Sequence, residues 1–584
     1  MRWLGDDPPL GRCALLALAV GFAGNGYFLL GLVSPAAFSI VGLVFPAAAF
    51  AALAAITVIG VREVMPATRV GRIAFLGTCG SLVLAIAILD LVPPVARDEL
   101  THHLALPALY VEAGRIIEVP FADQGYYPML LEMFYTPLLA WTPDQTPKAL
   151  HLFFALASAA VVGLAAKQAG GRSAGALGFS LILFTPVVAL LATTAYVDLG
   201  VLLYTAVAIA ALLRWYATGK WSWLVVSALA AGFSGASKYN GLVSIALLAI
   251  GAGLRTLGSA ALLRGALAGA AYFTLALLPL SPWFAKNYAQ TANPTFPLFR
   301  GVFGGRELPD RPGLDVFSRR RLLYDESWAD IAAIPVRIFT TGREGVPGRF
   351  DGVLCPLFLI GAAFALRRKA PREHRLLLAF AVTYFALAFF QASLRVRYIV
   401  AILPPLAMIT APALADILRR RPAVGTGLLA LGACFTAVHV GEKWQAMTPL
   451  AYLTGDESRA EYVARFVPEF PVIDYANQSL PADARLYLAF LGTRSYYCRR
   501  PFLYDYYFSG VTLRRYVESS DDPAEVLNRF RGEGITHLVA ADELLGRYLT
   551  DNLDLPALER WQVFAANHLT RETSAQGVSL YAIN

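Results

Sequence analysis

The chain has 584 residues, of which 57% are hydrophobic and only 15% charged, with a formal net charge of +8. A soluble globule of that size would need far more charge on its surface, so the composition excludes one and points to a polytopic membrane protein. The positive balance does not imply a nucleic-acid partner, because Arg and Lys sit in short clusters between apolar runs, where they encode topology.

The first apolar run, from Cys13 to Val33, follows Arg2 and Arg12. No small-residue cleavage site follows and a second run comes almost at once, so it reads as a retained transmembrane helix and not a signal peptide. Windows long enough to cross roughly 30 Å of hydrocarbon fall at 12–33, 39–61, 73–95, 149–167, 174–194, 198–214, 221–236, 239–254, 265–284, 351–367, 376–393, 397–417 and 423–441. This predicts about thirteen spans. The five cysteines (Cys13, Cys79, Cys355, Cys434 and Cys498) have no CxxC or metal-ligand spacing, and four of them fall in apolar spans as small hydrophobes.

Basic residues mark every second loop: Arg62, Arg69 and Arg72; Lys167 and Arg172; Arg214 and Lys220; Arg255 and Arg264; Arg367 to Lys369; Arg419 to Arg421. These loops are expected in the cytoplasm with the N-terminus. The long polar loops at 96–148 and 285–350 and the region 442–584 are then expected outside. Arg319, Arg320 and Arg321 in the second loop do not break the rule, since long loops translocate largely regardless of charge; as a charge run they read as a solvated face, with a headgroup or diphosphate contact as the alternative.

Beyond 441 the pattern changes. Short apolar runs at 485–490 and 535–540 read as strands, and 523–530 reads as an amphipathic helix. The expected architecture is mainly α: a polytopic transmembrane helical bundle over 1–441 with outer amphipathic loops at 96–148 and 285–350, then a soluble extracytoplasmic α/β domain over 442–584.

Two adjacent carboxylates, Asp98 and Glu99, stand where the third span gives way to polar sequence. An acid at the membrane edge is a functional-site hypothesis by default. The stretch from Asp98 to Tyr110, with Gly114, Tyr126-Tyr127-Pro128 and Glu132-Met133, resembles the first outer loop of bacterial GT-C glycosyltransferases, the group related to protein O-mannosyltransferases and to the lipid A aminoarabinose transferase. Further segments fit the pattern in order: Ala195-Tyr196-Val197-Asp198, Gly235 to Leu242, Pro282 to Tyr288 with Thr291 to Pro294, and Arg397-Tyr398 with Pro404-Pro405. The likeness spans roughly residues 73–417.

The resemblance implies transfer of a sugar from a polyprenyl-phosphate carrier to a glycan, lipid or protein acceptor at the outer face of the bacterial cytoplasmic membrane, commonly with inversion. Membrane lipids are the other partners. An acceptor hydroxyl needs a carboxylate within hydrogen-bond reach to take its proton, and Asp98 is the residue expected to do so. Glu99 leaves that face if the segment is helical and would bind acceptor or brace the loop. His102, one turn on, could pair with the carboxylate or help to hold a divalent cation. His102 and His103 are poorly spaced as two ligands on one helix, and ordinary interfacial histidines are the competing reading.

Asp198 is either a helix cap or a second acid that binds substrate or metal. Cations stabilise the charge growing on a phosphate leaving group, and Lys238, Lys286, Arg395 and Arg397 are placed at the outer edge to do this or to snorkel to headgroups. Tyr126, Tyr127, Tyr196 and Tyr239 are interfacial anchors that could also stack on a sugar. No P-loop, GxSxG or HExxH occurs. A transporter or flippase of lipid-linked glycans is the rival reading; such folds often show paired half-chain repeats, and none is evident.

Overall fold

The computed structural model describes residues 7–255, 262–305, 314–389, 394–504 and 511–584. In hydrocarbon every backbone N–H and C=O must be satisfied within the segment, and the apolar runs accordingly form helices. Eight helical segments among the described residues are long and apolar enough to cross a membrane, from Pro8–Val33 to Pro422–Met447, as a multi-pass membrane protein requires. Every expected window contains helix, but not all of it full length. Trp221–Ser237, Gly241–Leu254 and Phe358–Ala365 are short, and the end of the window 376–393 lies outside the described residues.

The windows 149–167 and 174–194 meet in one helical run, Thr146–Leu183, broken at Gly170 and Gly171. Gly171 has φ of +72°, a left-handed conformation that costs glycine nothing, so the chain reverses beside Lys167 and Arg172. Close helix approach also depends on small residues. A Cβ on Gly60 would lie 2.3 Å from that of Ala160, so the helices Val44–Val64 and Thr146–Leu183 could not pack as they do with a larger residue there.

The helix Arg69–Asp90 delivers the acidic pair. It begins at Thr68, whose hydroxyl accepts from the Gly71 N–H at 3.1 Å, and it stops before Pro93-Pro94, a pair that disfavours helix in the preceding residue.

The helix Pro422–Met447 runs through the boundary expected at 441/442. Beyond it lies a five-stranded sheet of β1 (Leu486–Ala489), β2 (Phe502–Tyr504), β3 (His537–Ala541), β4 (Leu569–Ala575) and β5 (Val578–Ile583), in the order β2-β1-β3-β5-β4. β1 pairs in parallel with β2 and β3, while β5 is antiparallel to β3 and β4. The two strands expected from sequence are β1 and β3, and the expected helix is Pro523–Gly532, capped by Asp522. This α/β unit sits against the segment after Asp90: Leu100 packs with Val463 and Val467, and Arg459 pairs with Asp144 at 2.6 Å.

Candidate active site

Asp98 precedes a wide helical turn, Glu99 to His103, closed by the Leu104 N–H bonding to the Glu99 carbonyl at 2.9 Å. Turns of this width are rare and concentrate at functional sites. Here the width corrects one expectation. The imidazoles of His102 and His103, adjacent in sequence, lie with ring centroids 4.0 Å apart, and each offers an atom to a cluster with Asp98 whose ligand atoms all fall within 4.8 Å of one another. Adjacency therefore does not separate them as it would on a regular helix.

The two carboxylates do different work. Glu99 is 1% exposed; it accepts from the Ala96 N–H at 2.9 Å and the Ala195 N–H at 2.6 Å, tying its own loop to the one before residue 198. Burial pushes its carboxyl up. Asp98 is bonded through Oδ2 to Arg397 Nη2 at 2.6 Å. Burial alone would raise Asp98 too, but the Arg397 charge and hydrogen bond outweigh it and hold this carboxyl well below the usual range. Environments that drive neighbouring acids apart are how sites assign distinct roles to them.

Arg397 is 5% exposed and lies over the rings of Tyr196 and Tyr398, at 5.0 and 5.2 Å. Among the described residues its Nε and Nη1 are buried without an acceptor, so donors of the guanidinium remain for an anion. Arg395 bonds Asp351 at 3.3 Å. Lys238 bonds Asp198 at 2.7 Å and lies over the Tyr398 ring.

His103 Nδ1 meets Glu132 Oε1 at 2.7 Å, with both side chains buried, and His102 Nδ1 meets the Thr101 hydroxyl at 2.8 Å. Each of these bonds engages Nδ1 and leaves Nε2 outside it. Burial pushes His102 down to about 4 against the pull of Asp98, holds His103 well below its usual value, and pushes Glu132 up to about 8. The imidazoles are neutral at pH 7. A neutral imidazole whose other ring nitrogen is hydrogen-bonded is the usual form of a metal-ligating histidine, and one carboxylate with two imidazoles suits a divalent transition ion. Asp98, bonded through Oδ2 to Arg397, would have Oδ1 to give.

Two cavities meet at this cluster. The larger, about 560 Å³, is lined by Glu99, Lys148, Arg343, Asp351, His439 and Lys443 among others; the smaller, about 370 Å³, by His102, His103, Tyr127, Glu132, Lys238 and Thr493 among others. Arg97, Asp98, Arg395 and Arg397 line both. The Asp98–Arg397 ion pair therefore belongs to the partition between them.

Of the residues expected from sequence, Asp98, Glu99, His102, Tyr127, Lys238, Arg395 and Arg397 are brought together. Asp198, Tyr239 and Lys286 line neither cavity. Asp198, 1% exposed, stands behind Lys238. The Tyr239 ring backs that of Tyr127 at 5.6 Å and its hydroxyl donates to the Phe296 carbonyl. Lys286 turns away to the Gly125 carbonyl at 2.5 Å. The charge run is not wholly solvated either: Arg320 is 2% exposed and pairs with Glu326 at 3.0 Å. Sequence reasoning gave no role to Lys148, Arg343, Lys443, Glu132 or Thr493. The visible signals were Lys148 at the head of an apolar helix and Glu132 within the Glu132-Met133 segment of the resemblance.

No protein-family model matches the chain, and no curated protein matches it by sequence. Solved structures do match by shape. ArnT from Cupriavidus metallidurans in the apo state superposes with a TM-score of 0.51 at 18% identity, covering 87% of this chain and 97% of that one. The same protein bound to undecaprenyl phosphate gives 0.52 at 17% identity, with the same coverage. The archaeal oligosaccharyltransferase AglB from Archaeoglobus fulgidus, in complex with an inhibitory peptide and a dolichol-phosphate, gives 0.44 at 12% identity over 88% of this chain and 75% of that one, a likeness too loose to argue from. The chain shares the fold of ArnT. At these identities the match to ArnT speaks to architecture and leaves the chemistry to the site itself.

Proposed function

We propose that this protein transfers a sugar from a polyprenyl-phosphate carrier to a hydroxyl-bearing acceptor, with inversion, at the outer face of the bacterial cytoplasmic membrane. Residues 1–441 are the catalytic bundle with the N-terminus inside, and 442–584 lie outside. The observation that carries the reading is the Asp98–Arg397 ion pair between two cavities. A site that joins a donor to an acceptor needs a proton acceptor and a phosphate-binding cation at one point, with room on either side. The undecaprenyl phosphate bound to ArnT, which shares the fold, is consistent with such a carrier here.

In this reading the donor phosphate occupies the larger cavity, where Arg343, Arg395, Arg397 and Lys443 converge, and the acceptor enters from the smaller one. A carboxylate held low by a guanidinium is a weak base. When the phosphate takes donors from Arg397, Asp98 loses part of that stabilisation and its basicity rises, so base and donor are coupled. The acceptor oxygen then attacks the anomeric carbon as its proton passes to Asp98. The carbon–oxygen bond to phosphate breaks, and the polyprenyl phosphate leaves as a monoester with an added negative charge, stabilised by the arginines more than in the ground state. Glu99 holds the loop that carries the base.

The test is incubation of the purified protein with radiolabelled polyprenyl-phosphate sugars and solubilised membrane extract, followed by identification of the labelled product. Absence of transfer from every donor, by a protein of normal thermal stability, would overturn the reading.

A further inference from the structure

One part of the smaller cavity wall does not come from the helical bundle. β1 lies in the middle of the parallel trio, with β2 on one side and β3 on the other. The chain departs in one direction after β1 and returns on the opposite side after β2, and the crevice at the carboxyl ends of such strands is where open α/β sheets place ligands.

The loop leaving β1 there is held in backbone conformations that side chains disfavour: φ is +60° at Phe490, +75° at Gly492 and +54° at Thr493. Left-handed non-glycine residues persist only where their surroundings fix them, and they gather at ligand clamps. The fixing contacts are clear. Arg494 pairs with buried Glu469. The N–H groups of Ser495 and Tyr496 both donate to the Leu100 carbonyl, at 3.0 and 3.2 Å, inside the turn that follows Asp98. The Tyr497 hydroxyl donates to the Pro94 carbonyl at 2.7 Å. Thr493 is thereby set, half-buried, into the same wall as His102, Lys238 and Arg397. Its hydroxyl proton goes to the Gly492 carbonyl at 2.8 Å, which leaves the oxygen as a hydrogen-bond acceptor.

We propose that Thr493 is a specificity-determining residue through which the C-terminal α/β unit selects the acceptor: its hydroxyl oxygen receives a hydrogen bond from a hydroxyl of the molecule being glycosylated. The proposal rests on the assignment of the smaller cavity to the acceptor. A non-polar acceptor face would gain nothing from this residue, whereas a hydroxylated one, a glycan above all, would be held against Asp98.

The experiment compares the full-length wild type with Thr493→Val and Thr493→Ser. Valine keeps the β-branched shape, and so the same backbone strain, while losing the hydroxyl; serine keeps the hydroxyl. The donor is a radiolabelled polyprenyl-phosphate sugar, and the acceptor is a dilution series of solubilised membrane extract. Expected is a rise in apparent KM for the acceptor of about 3- to 10-fold in Thr493→Val, the worth of one hydrogen bond, with donor KM and Tm unchanged and acceptor KM restored in Thr493→Ser. An unchanged acceptor KM in Thr493→Val, or a rise confined to donor KM, overturns the proposal while leaving the transfer reaction standing. A wild type that transfers nothing overturns both.

Discussion

Arg397 Nη2 lies 2.6 Å from Asp98 Oδ2 across 299 residues of sequence, and this bond joins the loop after the third apolar helix to the start of one near the end of the bundle. It fixes a carboxylate and a guanidinium at the meeting point of two cavities. Every step of the proposed transfer passes through these two side chains.

Asp98→Asn preserves shape and can still accept a bond from Arg397, but it cannot take the acceptor proton. Turnover is expected to fall by about 10²–10⁴-fold, the range for loss of a general base, while donor affinity stays close to wild type. Glycosyl transfer and donor binding in nanodiscs measure both, and near-normal turnover would remove Asp98 from the chemistry. Glu99→Gln should instead act through stability, because the side chain holds two backbone N–H groups.

Arg397→Gln is expected to lower turnover by about 10²–10³-fold, comparable with losing one oxyanion donor. Arg397→Lys should recover little of this. A single ammonium cannot offer the planar fork that reaches carboxylate and phosphate together. Full activity of the lysine variant would mean that only a point charge is needed.

The Asp98, His102 and His103 cluster has the donor set for a divalent ion, yet Asp98 is already neutralised by Arg397, and a second cation beside that guanidinium would be repelled. Treatment with EDTA is therefore expected to change turnover by less than about twofold, set against the several kcal/mol a catalytic metal supplies. A tenfold loss, restored by adding back one divalent metal, would make the imidazole pair a metal centre.

Burial pushes Glu132 up to about 8. A carboxyl whose folded pKa is raised binds its proton more tightly in the native state, so its contribution is fully present below the unfolded value and is lost as pH climbs to about 8. The wild-type Tm should fall between pH 5 and pH 8, and Glu132→Gln, which stays neutral, should fall less over the same window. Parallel curves for the two proteins would show that Glu132 is ionised throughout.

Single cysteines at Val70, Glu112, Asp325 and Arg499, all exposed, report orientation. An impermeant thiol reagent on intact cells should label the last three and spare Val70. The opposite pattern would turn the acidic pair toward the cytoplasm and rule out an outer-face reaction.

The helices were legible because hydrocarbon forces apolar runs to satisfy their own backbone, and Asp98 was legible because an acid is costly where it stands. What stayed hidden depends on how helices rotate against one another. Asp198, Tyr239 and Lys286 lie in the segments that carry the resemblance, but each is turned one layer away from the cavities. Lys443 falls just past the last expected span, and Arg343 lies in a long loop where nothing in the spacing says that it bends back toward Asp98. A regular helix would separate His102 from His103, whereas the chain makes a wider turn that brings the two rings together.

The two N–H groups that Ser495 and Tyr496 give to the Leu100 carbonyl have a consequence for biogenesis. A chain made from its N-terminus inserts its last long apolar helix, Pro422–Met447, before the residues that finish the acidic turn have been synthesised. Under the proposed function the newly inserted bundle is thus an incomplete catalyst whose competence arrives late, when a segment from the far end docks. Premature termination anywhere between the last span and Tyr496 would leave an intact membrane embedment with an unset reaction centre, so that activity itself reports completion of the polypeptide.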